Sequence, residues 1–107
     1  MGPMATDGPL FWDRNGEPLD TLEYGRLFED PDYRIVARTA VPGGEVVTAW
    51  IGAHQGPLDS PRPLIFGTIT RRGDDWRDEH HDATEAEALD RHWRAVGAAR
   101  GEPASWR

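Results

Sequence analysis

The sequence contains neither cysteine nor lysine among its 107 residues. The lack of cysteine excludes disulfide bonds, thiolate metal ligands and a cysteine nucleophile. No apolar run approaches the roughly 20 residues that cross a bilayer, and the first residues lack the basic and apolar regions of a signal peptide. We therefore predict a cytoplasmic protein that has no membrane partner.

Basic charge is also scarce. The 12 basic residues, all arginine, stand against 19 acidic residues and leave a formal net charge of −7. Nucleic acids and anionic membranes require basic patches, so this balance predicts no direct binding to nucleic acid and favours another protein as partner. The length allows one domain. We assign that domain to residues 11–101, with a tail or expression remnant over 1–10 and a loose tail over 102–107.

The apolar pattern predicts an α+β fold. Asn-Gly at positions 15 and 16 indicates a tight turn. Capping residues at Asp20 and Thr84 open two helices, over about 21–29 and up to Gly101. Alternating or apolar runs indicate strands over 33–41, 45–52, 63–70 and, as an edge, 76–82. No crossover helix separates the central strands, which favours an antiparallel sheet of three to four strands with two helices packed on one face.

The register of the first hairpin stays open at this level. We expect Ala37 opposite Trp50 for a two-residue loop or opposite Ala49 for a three-residue loop, and a slip of one residue turns every side chain to the other face. Trp50 and Trp93 lie in apolar patterns and are predicted to be core residues. If Val46, Trp50 and Ile65 lie on the uncovered face of the sheet, a homodimer through that face becomes an alternative.

The chain offers two weak patterns for catalysis. The run Asp78-Glu-His-His-Asp82 holds metal-ligand residue types, but His80 and His81 point to opposite faces of a strand, so only one joins a site there, with His92 as a candidate from the helix. Ser60, His54 and Asp59 could be drawn as a catalytic triad. Three such residues in one polar loop are, however, typical of loop composition and do not by themselves indicate catalysis. Neither pattern assembles a catalytic set, and we predict no catalytic residue, metal site or cofactor.

Trp76 is the best candidate for a binding residue. It is flanked by charge, and tryptophan and arginine are enriched at binding hot spots; the alternative is an edge aromatic that folds back onto the sheet. The predicted binding residues are Trp76, Arg71, Arg72, Asp75 and His80. The leading hypothesis is a non-catalytic protein-binding or accessory module. The alternatives are an acidic DNA mimic that inhibits a nucleic-acid enzyme, and a small metal enzyme in which His54, His80, His81 and His92 converge with carboxylates.

Three segments carry a resemblance to a known group. The segments are Val46-Val-Thr-Ala-Trp-Ile-Gly52, Pro63-Leu-Ile-Phe-Gly-Thr68 and Thr84-Glu-Ala-Glu-Ala-Leu-Asp-Arg-His92. They resemble a family of small uncharacterised proteins of actinobacteria and their phages, which share a V-S-T-x-W-L-G strand, P-L-I-F-E-T and a T-E-x-E-A-L-x-x-H helix. The chain departs from that pattern at Gly67, where the family carries Glu, and at His54, which is one position early. The resemblance implies a shared fold and a phage or mobile-element setting, without a known function.

Overall fold

The computed structural model describes residues 8–57 and 59–101. Two short strands form the first hairpin, followed by two short helices, a four-stranded sheet and a long final helix. The elements are β1 (Phe11–Trp12), β2 (Pro18–Leu19), α1 (Thr21–Phe28), α2 (Pro31–Arg34), β3 (Ile35–Val41), β4 (Gly44–Trp50), β5 (Phe66–Arg72), β6 (Asp75–Asp82) and α3 (Glu85–Gly101).

The four long strands pair in chain order, β3-β4-β5-β6, and every pair is antiparallel. Along β4 and β5, buried residues alternate with half-buried ones, as expected for a sheet covered on one side. The predicted α+β fold with an antiparallel sheet is confirmed, and the charged segment after the third long strand is indeed an edge strand.

The helices pack on one face of this sheet, which we call the helix face. Helix α3 begins after Thr84, whose hydroxyl accepts a hydrogen bond from the backbone N–H of Glu87 at 3.1 Å. Helix α1 begins after Asp20, whose carboxylate accepts from the N–H of Glu23 at 2.8 Å. Both predicted N-caps are therefore present, and each satisfies an N–H group that has no partner within its helix.

The core consists of two apolar clusters along α3. The first contains Trp50, Ile65, Phe66 and Ala88, and the second contains Val41, Val46, Val96 and Ala99. Side chains from the first hairpin and from α1 and α2 complete the first cluster, among them Trp12, Tyr24, Leu27 and Tyr33. The indole N–H of Trp50 donates to the carbonyl of Trp12 at 2.8 Å, so the largest of the fully buried side chains also has its polar atom paired.

The boundaries of two strands differ from the prediction. Residues before Ile35 form the short helix α2, because Asp30 caps it and Pro31 fits its first turn; Tyr33 therefore belongs to a helix. The strand predicted from Pro63 begins at Phe66, although the Ile65 carbonyl already accepts from the N–H of Ile51 at 2.7 Å.

Both predicted registers of the β3–β4 hairpin are wrong. Val41 pairs with Gly44 across the Pro42-Gly43 turn, so Ala37 lies opposite Thr48. Gly43 has φ +76, a conformation that a type II turn requires at its second central position. Gly44 is obligatory as well, since a Cβ there would lie 1.6 Å from the carbonyl oxygen of Arg71 on the neighbouring strand.

The predicted burial of Trp93 is also wrong. Its side chain is 55% exposed, and the residues of α3 that are buried are Ala88, His92, Val96 and Ala99. Helix α3 thus turns small side chains and a histidine toward the sheet, which allows it to pack closely. None of the helices in the described part of the chain is long and apolar enough to cross a membrane.

Candidate functional site

The predicted binding residues lie at the β5–β6 hairpin but divide between its two faces. Arg71 and Trp76 pair with each other on the face away from the helices, which we call the open face, whereas Arg72 pairs with Asp75 and His80 pairs with Thr68 on the helix face. The five residues are therefore neighbours in the fold, but they do not form one surface.

Four side chains form a continuous row across the open face, which we call the charged ladder. Arg38 of β3 contacts Glu45 of β4 through two hydrogen bonds of 2.8 and 3.1 Å. The same carboxylate accepts from Nε of Arg71 on β5 at 3.4 Å, and the guanidinium of Arg71 lies 5.9 Å from the ring centre of Trp76 on β6. Every strand of the sheet contributes one member.

Two arginines fix the charge state of Glu45. The hydrogen bonds from Arg38, with a smaller contribution from Arg71, hold the pKa of Glu45 at about 2 against an opposing effect of burial. The carboxylate is therefore ionised at neutral pH, and two cations share one anion. Arg71 is further held by a hydrogen bond of 2.6 Å to the Gly73 carbonyl in the β5–β6 turn, so the ladder is ordered before any partner arrives.

Half-buried apolar side chains lie beside the ladder. Val47 and Ala49 of β4 and Ile69 of β5 occupy the alternate positions whose neighbours face the core. Trp76 extends this apolar area at the sheet edge with 49% of its side chain exposed. An apolar centre beside an aromatic and arginine rim is the composition of protein-binding surfaces.

The helix face carries a cleft of about 440 Å³ between the β5–β6 hairpin and the last turns of α3. Its lining residues are Thr70, Arg72, Arg77, Asp78, His80, Ala95, Ala98 and Ala99. Arg72 donates to the carbonyl of Ala99 at 3.2 Å, and Arg77 pairs with Asp75. Its charged groups have both signs, so the cleft has no charge preference that points to a ligand.

His92 is fully buried between the two core clusters. Together with Thr39, Thr48 and Thr68 it forms what we call the histidine layer. Its Nδ1 lies 2.9 Å from the hydroxyl of Thr48 and its Nε2 lies 2.8 Å from that of Thr39, while Thr48 also contacts the hydroxyl of Thr68 at 2.7 Å. A histidine beside a threonine hydroxyl resembles a base beside a nucleophile. Here, however, Thr48, Thr68 and His92 are at most 1% exposed, so a substrate has no access.

The other histidines lie apart from this layer. His80 and His81 face opposite sides of β6, as the strand geometry predicted. His54 accepts from the N–H of Leu64 at Nδ1 and donates to the carbonyl of Pro57 at Nε2, which uses both ring nitrogens within its own loop. Over residues 8–57 and 59–101, no three His, Asp or Glu side chains are grouped as metal ligands.

Of the four residues in the charged ladder, sequence reasoning named Trp76 and Arg71 as binding candidates and did not name Arg38 and Glu45. The signal for these two was their opposite charge on paired strands, and it becomes readable only when the register is known. It likewise missed Val47 and Ile69 as surface residues, because alternate apolar positions on both faces of a strand look the same in sequence.

Comparison with protein-family models, curated proteins and solved structures yields no match for this chain. The resemblance to the actinobacterial and phage family stays a prediction. Gly67, where the chain departs from that family, lies on the open face opposite Ala49 and His81, and a Cβ there would lie 2.9 Å from the terminal methyl group of Ile51.

Proposed function

We propose that this protein is a non-catalytic protein-binding module whose contact surface is the open face of its sheet. The observation that carries the proposal is the charged ladder, in which Trp76 is half exposed and Arg71 and Glu45 are already held in place. Binding costs less when contact side chains are ordered in advance, because fewer rotamers are frozen on association.

The surface favours a partner that offers apolar side chains and a carboxylate. The apolar residues Val47 and Ile69 supply area to bury, and Arg38 and Arg71 share one carboxylate, which leaves an excess of positive charge beside Trp76. A second copy of the chain is a weaker candidate, since its open face carries the same excess of arginine over glutamate that this surface would have to pair with. The proposal places this module in the cytosol and, from the family resemblance, in a phage or mobile-element setting.

The decisive experiment compares two exposed tryptophans on different sides of the molecule. Partners are captured from the host lysate with the wild-type chain, the captured protein is produced in pure form, and its affinity is measured by calorimetry. We expect Trp76→Ala to raise Kd at least about 30-fold, the loss typical of a hot-spot tryptophan. Trp93→Ala, which removes a side chain that is 55% exposed on α3, is expected to change Kd less than about twofold.

Circular dichroism of both variants establishes that the fold is intact. The proposal fails if no partner is captured at any salt concentration, or if Trp76→Ala binds the purified partner as tightly as the wild type. Competition by duplex DNA, with a steep salt dependence, would favour the DNA-mimic alternative instead. The structure offers that alternative little support, because arginines neutralise carboxylates on every side of the molecule, including Glu23, Glu45, Asp82, Glu85, Glu87 and Asp90.

A further inference from the structure

The two edges of the sheet differ in whether they can accept another strand. Within the described residues, β3 pairs only with β4 and β6 pairs only with β5, so each has one unpaired side. Unpaired strand edges template the addition of further strands unless charges, prolines or bulges protect them.

The β6 edge is protected twice. Its eight residues include four carboxylates, Asp75, Asp78, Glu79 and Asp82. The register shifts between Thr68 and Thr70, and Asp78 adopts φ +58 at this bulge, the one described non-glycine residue with a positive φ. A bulge interrupts the regular spacing of backbone groups that an added strand needs.

The β3 edge has neither carboxylates nor a bulge at its centre, and its one charged side chain, Arg38, is directed across the open face to Glu45. The segment Ile35–Val41 contains no acidic residue and no proline, and its register is regular from Ala37 onward. Val41 and Gly44 close a two-residue hairpin loop, so the pairs with β4 alternate between hydrogen-bonded and not. Arg38 and Ala40 fall on the non-bonded pairs, and their backbone N–H and C=O groups consequently point away from β4.

A contact from α3 supports this direction. Nη2 of Arg100 donates to the carbonyl of Ala40 at 3.3 Å, as an outward-pointing acceptor allows. Arg38 and Ala40 are both exposed. The edge therefore offers backbone groups to an incoming chain, with Arg38 on the open face and Arg100 on the helix face.

We propose that the β3 edge binds an extended acidic segment of another protein by strand addition, with backbone pairing at Arg38 and Ala40. The acidic character follows from the arginines on both faces of the edge. Glu45 neutralises one of the two arginines Arg38 and Arg71, and Arg100 adds a further positive charge, so an excess of positive charge remains at this edge. At physiological salt, charges more than about 8 Å away are largely screened, so this local excess has more effect than the net charge of −7. This surface shares Arg38 with the charged ladder but does not include Trp76, and it does not depend on the function proposed above.

The test uses synthetic nine-residue peptides with blocked ends, in which valine alternates with glutamate, glutamine or lysine. We expect the glutamate peptide to bind about tenfold more tightly than the glutamine peptide at low salt, as a few exposed ion pairs allow. It should also slow hydrogen exchange at the amides of Arg38 and Ala40 and leave the β6 amides unchanged, as backbone pairing at one edge requires.

Two variants test the site, one through the backbone of β3 and one through the charge of a side chain on α3. Ala40→Pro removes an outward N–H without breaking a β3–β4 hydrogen bond, a change that edge strands tolerate. We expect this variant to bind the glutamate peptide at least tenfold more weakly than the wild type. Ala40→Ser, which keeps the N–H, is the matched control. Arg100→Glu leaves the backbone intact and is expected to reverse the preference from the glutamate to the lysine peptide. Trp76→Ala should bind the glutamate peptide like the wild type, which separates this site from the open face.

Three results would overturn the proposal. The first is no binding of the glutamate peptide at millimolar concentration, and the second is equal binding by wild type and folded Ala40→Pro. The third is a dimer of the free protein that Ala40→Pro converts to a monomer, because the occupant of the edge would then be a second copy.

Discussion

At the scale of single residues, His92 is the most unusual choice in this chain. It is fully buried, and burial lowers the pKa of its imidazole. Its ring nitrogens contact the hydroxyls of Thr39 and Thr48, and the centre of the Trp93 ring lies 4.9 Å away. None of these groups carries a charge that would stabilise a protonated ring, so the fold requires neutral His92.

Stability should consequently fall on mild acidification. The pKa of His92 is lower in the folded chain than the value of about 6.5 in the unfolded chain, so the unfolded state takes up the proton first. The stabilising effect is complete above about pH 6.5 and is lost as the pH falls toward the folded pKa. We expect the free energy of unfolding in urea to decline between pH 7 and 5, by at most about 1.4 kcal/mol per pH unit.

The variant His92→Gln should be less stable but should lose this slope, because it removes the titrating group. His80→Gln, on the exposed edge strand, controls for the loss of a surface imidazole. The pH range of this measurement lies above the range in which Glu45 titrates. Because the pKa of Glu45 is about 2 in the folded chain, its stabilising effect is lost only below about pH 4. A wild-type slope in His92→Gln would contradict the assignment.

The burial of His92 shows where residue-level prediction stops. The prediction that Trp93 is buried was wrong, because a large apolar side chain carries more weight in a sequence pattern than Ala88 and His92, which are buried on α3 together with Val96. The histidine is acceptable in the core because Thr39 and Thr48 pair with its ring nitrogens from two strands, while Thr68 on a third strand contacts Thr48. That convergence depends on the strand register, which the sequence left open.

At the scale of elements, one arginine connects the first hairpin to the rest of the molecule. Arg14 makes two hydrogen bonds to the carboxylate of Glu85 at the start of α3, of 2.8 and 2.7 Å, and a third of 2.9 Å to the carbonyl of Tyr33 in α2. The contact with Glu85 raises the pKa of Arg14, and that with Arg14 lowers the pKa of Glu85.

We expect Arg14→Ala to lower the free energy of unfolding by about 1–2 kcal/mol, since it breaks charged hydrogen bonds between three elements. We expect a value at the low end for charged hydrogen bonds, because the Arg14 and Glu85 side chains are 23% and 34% exposed and solvent therefore screens the pair. Arg26→Ala, which breaks an exposed pair with Glu23 inside one helix, is the matched control and should leave urea unfolding unchanged. If both substitutions changed the free energy of unfolding equally, the contacts of Arg14 with α2 and α3 would contribute nothing beyond those of an exposed ion pair.

Element types were more predictable than their pairing. Alternation in β4, the Asn15-Gly16 turn and the caps at Asp20 and Thr84 are local signals, and they predicted their elements correctly. Helix α2 was not predicted, because four residues are too few to show helical periodicity. The β3–β4 register depends on the count of loop residues, where a single error changes every partner.

At the scale of the whole molecule, the two core clusters belong to one cooperative unit. Strand β4 contributes Val46 to one cluster and Trp50 to the other, and α3 likewise contributes Val96 and Ala88. Because β4 and α3 belong to both clusters, one cluster cannot unfold while the other holds these two elements together. We expect tryptophan fluorescence and far-ultraviolet circular dichroism to give the same urea midpoint, the usual two-state result.

The variant Val96→Ala sharpens this test, because it acts on the cluster without Trp50. It should lower the free energy of unfolding by about 1–3 kcal/mol and shift both midpoints together, although the tryptophans in the core, Trp50 and Trp12, lie in the other cluster. A fluorescence transition that stays in place while the dichroism transition moves would divide the domain into two units.

The bulge at Asp78 has a consequence for assembly. A strand that adds to β3 brings its own second edge, and repeated addition of identical molecules would need β6 to accept a β3 edge in turn. The positive φ of Asp78 and the four carboxylates of β6 block that step, so edge pairing cannot propagate from molecule to molecule. Pairing of the β3 edge of one molecule with the β6 edge of the next is therefore closed as a route to fibrils of this open-edged sheet.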